Sequence, residues 1–298
     1  MKPTSLTRYA WLSIAAAIGT MLLKSGAYLL TGSVGLLSDA LESLVNLAGA
    51  LMALAMLSVA ARPPDEDHAY GHSKAEYFSA GAEGALIVIA AVSIAVAAID
   101  RLLHPQPIQQ VGLGLAVSVV AALLNLGVAV VLMRAARIHR SATLQASSHH
   151  LMTDVWTTGG VLVGVAAVVL TGWLVLDPLV AIAVALNIVW TGSRIMRDSV
   201  AGLMDVSLPE SERLAIEAVL SRYRRQGVEF HALRTRQSAA RRFVSIHMLV
   251  PGALSVHEAH DLAEDLERDI RTVLGDADVT THLEPVEDEI SRNGVHAR

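Results

Sequence analysis

Acids, an amide and imidazoles recur at helical spacing inside apolar sequence. Asp39, Glu42 and Asn46 stand at i, i+3 and i+7, so they share one face of a helix. His150 and Asp154 are four apart in a second apolar stretch and lie one above the other. Polar groups are costly inside a bilayer, and where they occur they mark ion or proton paths. Two helices that each offer such a pair surround one ion with four nitrogen and oxygen ligands, a set that suits a tetrahedral divalent metal. Glu83 is a separate acid in apolar sequence and reads as an accessory ligand, a proton carrier or an interfacial partner. Asn125 and Asn187 read as packing groups, and His149 reads as facing the headgroups.

Two further clusters lie outside the apolar stretches. Asp65, His68 and His72 combine an acid with two histidines four apart, which suits either a metal-holding loop or a solvated acidic one. Towards the C-terminus His231, His247, His257, His260 and His282 recur with Glu284. His231 and His247 fall on expected strands and His282 ends a third. The three are therefore expected to converge, with His260 joining from a helix. The chain has no cysteine, which excludes disulfides and thiolate metal sites.

The elements that must hold these residues follow from hydropathy. Hydrophobic residues make up 53% of the chain and charged ones only 17%, against about a quarter in soluble domains. The apolar excess lies in residues 11–30, 36–60, 80–99, 111–133, 155–176 and 178–193, each near the ~20 residues that cross a bilayer. Six spanning helices are expected, the fifth starting near Ser147, with Asp177 as an N-cap before Pro178. Lys2, Arg8, Arg62, Lys74, Arg134, Arg137, Arg140, Arg194 and Arg197 all fall on the side of the two termini. By the positive-inside rule that side is the cytoplasm, which places the protein in the inner (plasma) membrane. No signal peptide is expected at the basic start.

The expected domains are a six-helix transmembrane domain over 1–204, a cytoplasmic metal-binding domain over 205–290 and a flexible tail over 291–298. The cytoplasmic part reads as helix 209–225, strands 228–235 and 243–250, helix 255–274 and strand 279–283, a two-layer αββαβ fold. Ser255 and Glu258 have the spacing of a capping box. A net charge of −5 argues against nucleic acid as a partner. No P-loop or Gly-rich fingerprint is present, and His257-Glu258-Ala259-His260 lacks the spacing of a metalloprotease helix, so an enzyme is not expected.

Taken together, Thr31-Gly32-Ser33-Val34, Asp65-x-x-His68-x-x-x-His72-x-Lys74-Ala75-Glu76, His150-x-x-x-Asp154, Asp177 and Leu233-Arg234-Thr235-Arg236 resemble the cation diffusion facilitator family, and within it the bacterial zinc- and iron-efflux branch. The resemblance runs over nearly the whole chain. It implies a homodimer in the lipid bilayer that exchanges a divalent metal for protons. By position it implies a transport site of Glu42, Asn46, His150 and Asp154, with Asp39 as an alternative fourth ligand. It also implies a loop site of Asp65, His68 and His72. A cytoplasmic binuclear site of His231, His247, His260, His282 and Glu284 follows, with a charge interlock of Lys74 and Asp205 at the dimer interface. The chain departs from the branch at Glu42, Asn46 and Glu284, where the branch has Asp. Zn²⁺ heads the expected metals, followed by Fe²⁺, Mn²⁺, Co²⁺ and Ni²⁺. The alternative reading is a membrane-anchored metal sensor that moves nothing.

Overall fold

The computed structural model describes residues 6–31, 34–104 and 112–288, without the side chains of 30, 31, 34–42, 45 and 177 among a few others. Asp39 and Glu42, the Gly32-Ser33 turn, most of the turn from His104 to Pro107 and the 291–298 tail therefore lie wholly or in part outside the described residues. The chain forms two compact units, residues 1–200 and 201–298.

The first unit holds six long helices: α1 (Thr7–Thr31), α2 (Val34–Ala60), α3 (Ala75–Leu103), α4 (Leu113–His139), α5 (Ala142–Thr171) and α6 (Leu176–Leu203). Among the described residues α1, α3, α4 and α6 are long and apolar enough to cross a membrane, and α2 holds an apolar run at Asn46–Ala60. Large apolar side chains point outward, among them Leu29, Ile89, Leu123, Leu170 and Trp190. In water that surface would be a liability, and in lipid it is the expected one.

Helix α5 is central. Its Leu144 and Leu151 enter a core with Ala10 of α1, Leu57 of α2 and Leu132 of α4. Its Ala146 enters another core with Ala80 and Ile87 of α3 and Ile188 and Ile195 of α6. Small residues let α3 and α6 approach closely, as is usual between helices in lipid. A Cβ built on Gly192 would stand 3.0 Å from the carbonyl oxygen of Gly84.

Two helix starts differ from the sequence expectation. Helix α5 begins at Ala142 rather than near Ser147, because Ser141 caps it by accepting from the Leu144 N–H. Helix α6 begins at Leu176, so Asp177 is inside the first turn and is not the N-cap. Pro178 is tolerated there because first-turn N–H groups have no intrahelical partner.

The second unit comprises α7 (Glu210–Arg224), β1 (Glu229–Ser238), β2 (Arg241–Val250), α8 (Val256–Leu274) and β3 (Ala277–Pro285). The sheet order is β1-β2-β3. Strands β1 and β2 form an antiparallel hairpin, and α8 crosses over to bring β3 parallel to β2. Ser255 and Glu258 form the expected capping box on α8. Ile216 and Leu220 of α7, Leu266 and Ile270 of α8, and Val244, Ile246, Met248 and Val279 of the sheet share one core. With the period of two in a strand, His247, His282 and Glu284 turn to the opposite face. Strand β1 runs to Ser238, three residues beyond the expected end at Thr235. Its turn is Ala239-Ala240, with Ala239 at φ 50°, a left-handed position usually taken by Gly or Asn.

Candidate metal centres

The intramembrane cluster is built on α5. His150 and Asp154 stand one turn apart on it, and α2 brings Asn46 between them. Asn46 Nδ2 donates to Asp154 Oδ2 at 2.7 Å, and His150 Nε2 lies 2.7 Å from Asn46 Oδ1. The carboxylate only accepts, so the amide must turn its N–H towards Asp154 and its oxygen towards His150. Helix α4 adds Asn125, whose Nδ2 donates to the same Asp154 Oδ2 at 2.8 Å. Asn125 is 4% exposed, and its Oδ1 is buried with no hydrogen-bond partner among the described residues. Asn125, expected as a packing group, is thus hydrogen-bonded to the His150–Asn46–Asp154 cluster. One polar residue on α4 has no sequence-near companion, so spacing gave no signal for it. The Glu42 and Asp39 side chains are not among those described.

The loop between α2 and α3 folds on Asp65. Its Oδ1 accepts the His68 backbone N–H at 2.7 Å, and its Oδ2 lies 3.3 Å from His72 Nε2. The two imidazole rings are 4.4 Å apart. Gly71, at φ 81°, makes the turn that returns His72 to the acid. One donor atom from each of the three residues falls within 4.8 Å of the others. Desolvation works to raise the Asp65 pKa, but the His68 backbone N–H and the two imidazoles outweigh it and hold the carboxyl below its ordinary value.

On the sheet of the second unit three histidines form a row. His231 pairs with His247 across β1 and β2, and His247 pairs with His282 across β2 and β3. A register shift between His231 and Arg234, with Ala232 at φ 51°, ends regular pairing just after His231. Glu284 bridges the row: His231 Nε2 is 2.7 Å from its Oε2, and His247 Nδ1 is 2.9 Å from its Oε1. His282 Nε2 lies 3.6 Å from Glu284 Oε1. His231, His247 and Glu284 bring donor atoms within 4.8 Å of one another. Burial works to raise the Glu284 pKa, but the hydrogen bonds of His231 and His247 outweigh it and hold the carboxyl below its ordinary value. His260 is not brought into this group. It is exposed on α8, 3.5 Å from Glu264, and His257 likewise faces Asp261.

Of the other expected residues, Glu83 is buried against Ser147. Lys74 is the N-cap residue of α3. Asp205, at φ 58°, has its Oδ1 3.3 Å from the Arg236 guanidinium.

Residues 10–204 match the transmembrane domain of the cation efflux proteins, and residues 208–286 match their cytoplasmic domain. The chain belongs to the cation efflux, or cation diffusion facilitator, family. As a cation diffusion facilitator it is a multi-pass membrane transporter and not an enzyme. An uncharacterized transporter of Synechocystis sp. is 52% identical over 280 residues, 94% of this chain and 90% of that one. Cation-efflux pump FieF of Serratia proteamaculans is 34% identical over 266 residues, 89% of this chain and 88% of the relative. Cation-efflux pump FieF of Klebsiella pneumoniae is 31% identical over 281 residues, 94% and 93%.

Proposed function

We propose that this cation diffusion facilitator exports a divalent transition-metal ion from the cytoplasm in exchange for protons. It does so as a homodimer in the inner membrane, with both termini inside. Zn²⁺ or Fe²⁺ is the cargo that best suits the donors, and Mn²⁺, Co²⁺ and Ni²⁺ are the neighbours in the series. The observation that carries this is the chain of contacts from His150 through Asn46 to Asp154 and Asn125. It joins α5, α2 and α4 inside the helical bundle.

The exchange follows from the donors. A metal binds neutral His150 and ionised acids, so imidazolium and carboxyl protons compete with the ion for the same groups. A single imidazole nitrogen among carboxylate and amide oxygens suits a borderline divalent ion. An inward proton gradient then drives metal outward by alternating access. The match to cation efflux proteins, and relatives that are cation-efflux pumps, support the direction. Glu42 completes the shell in this reading, with Asp39 as the alternative to Asn46 for the fourth ligand.

The cytoplasmic cluster lies on a sheet outside the six helices, and we assign it to regulation. His231, His247 and Glu284 hold an ion there, His282 stands beside them, and His260 joins only by a change in α8. Asp65, His68 and His72 hold a further ion at the loop.

The test is transport into sealed vesicles containing the purified protein, under anaerobic conditions, across Zn²⁺, Fe²⁺, Mn²⁺, Co²⁺ and Ni²⁺. Wild type moves at least one of them, while H150A and D154A fall to the level of empty vesicles yet remain folded dimers. Wild-type flux from either variant would remove the site assignment. Binding without flux in the wild type would favour the sensor.

A further inference from the structure

Glu83 of α3 is 2% exposed, and the transport site does not use it. Ser147 Oγ donates to its Oε1 at 2.7 Å. Its Oε2 is buried with no hydrogen-bond partner among the described residues, and so is the hydroxyl of Ser79, one turn earlier on α3. Glu76, seven residues before Glu83 and on the same face, receives the Ser141 hydroxyl and, at 3.4 Å, the Thr143 N–H. Helix α3 thus lays a line of buried polar groups along the first turns of α5. The line ends at Ser147, one turn before His150. On its other side α3 is held to α6 by the Gly84–Gly192 approach and by Ser199 Oγ donating to the Tyr77 carbonyl at 2.5 Å.

The charged groups on the surrounding elements are few. Helix α5 offers His149 and His150. Helix α6 offers Arg194, Arg197 and Asp198, and of these Arg194 and Asp198 act on His149. Helix α2 has Asp39 and Glu42, whose side chains are not among those described. Helix α3 has Glu76 at its start and Asp100 and Arg101 at its far end. Among the described residues none of these charged groups is hydrogen-bonded to or ion-paired with Glu83, whose polar contact is with Ser147.

A buried ionised carboxylate needs a cation against it. One carboxylate with hydroxyls and no imidazole offers too few donors and too little charge for a divalent transition metal. A proton needs only the unpartnered oxygen. We propose that Glu83 carries the counter-transported proton, at a site separate from His150 and Asp154. This rests on the metal–proton exchange proposed above. A proton from the outer side forms an O–H bond on the Glu83 carboxylate, and that bond breaks to release the proton to cytoplasmic water. No electrons change hands. The Ser147 hydrogen bond ties the event to α5, the helix that bears His150 and Asp154.

The test uses the full chain in sealed vesicles with an imposed pH gradient, recording metal flux and proton movement together. Wild-type flux is expected to rise several-fold with the gradient. E83Q should bind metal at wild-type stoichiometry but lose the response to the gradient and move fewer protons per ion. E83D, which keeps an acid, should retain both. S147A should shift the pH of half-maximal flux, and it serves as the deciding variant if E83Q does not fold. Proton coupling in E83Q equal to wild type, loss of coupling in E83D, or an unmoved pH profile in S147A would each overturn the proton site alone. A wild type indifferent to the gradient would overturn the exchange reading and this proposal with it.

Discussion

Asn125 of α4 and Asn46 of α2 donate to the same oxygen of Asp154, at 2.8 and 2.7 Å. One carboxylate oxygen on α5 therefore ties three helices together. Removing either amide changes how the acid is held as well as what surrounds a bound ion.

For Asn125 the expectation is graded loss. N125L removes one hydrogen bond to a charged group, a contribution of about 1.5–3 kcal/mol, or roughly ten- to a hundredfold in metal affinity. N125Q, which keeps the amide, should recover part of it. Equilibrium metal binding to the detergent-purified protein measures both, and equal affinity in N125L and wild type would return Asn125 to a packing role.

N46D sets a carboxylate beside Asp154 where an N–H now stands. The repulsion between the two is relieved by a cation, so metal binding should tighten. The shell goes from two acids to three if Glu42 completes it, so more protons should be displaced per ion. Calorimetry in buffers of different ionisation enthalpy counts those protons. An unchanged affinity and count would make Asp39 the better candidate for the fourth ligand.

The Glu284 pKa is depressed in the folded sheet, so the carboxylate stabilises the fold above the ordinary range near 4.3 and stops doing so as pH falls through its lowered value. Protection factors for the β3 amides in the full protein should therefore fall from pH 7 towards acid. E284Q should be less protected at pH 7 and show a weaker decline. A wild-type profile that is flat through that window would count against Glu284 as the bridge between His231 and His247.

At the α3–α6 crossing, a Cβ on Gly192 would meet Val88 Cγ2 at 2.8 Å as well as the Gly84 carbonyl oxygen. G192A should cost about 1–3 kcal/mol through overpacking. Thermal unfolding in detergent should show a lowered midpoint, with metal binding at His150 and Asp154 less affected than stability.

The proposed interlock of Lys74 with Asp205 is tested by charge reversal. K74D should loosen the dimer, and adding D205K should restore part of it, less the Arg236 contact that Asp205 makes in its own protomer. Exposed pairs contribute only about 0–1 kcal/mol, so the shift is expected to be modest unless the pair is buried in the dimer. Analytical ultracentrifugation across concentration reads it.

Much of the candidate site was legible because side chains obey the period of their element. The i, i+4 spacing of His150 and Asp154 put them on one face before any fold was known. Alternation in β2 and β3 likewise predicted which histidines would share a surface. Asn125 was not legible, since its partner is 29 residues away on another helix. The end of β1 was missed because Ala239 takes a left-handed conformation without a Gly or Asn to announce it. The start of α5 was missed because Ser141 is a single capping residue ahead of a polar first turn, while the apolar signal begins later. His260 joins the strand histidines through residue type and the family resemblance; no period links a helix position to a strand row, and in this structure it lies beside Glu264 on α8.

Strand β3 is the last regular element among the described residues, yet its Glu284 contacts the two histidines that precede it by 53 and 37 residues. During synthesis, His231 and His247 emerge long before the acid that joins them. A nascent or truncated chain has imidazoles but no bridging carboxylate, so it lacks the three-donor cluster. The three-donor cluster is therefore completed only once β3 has paired with β2.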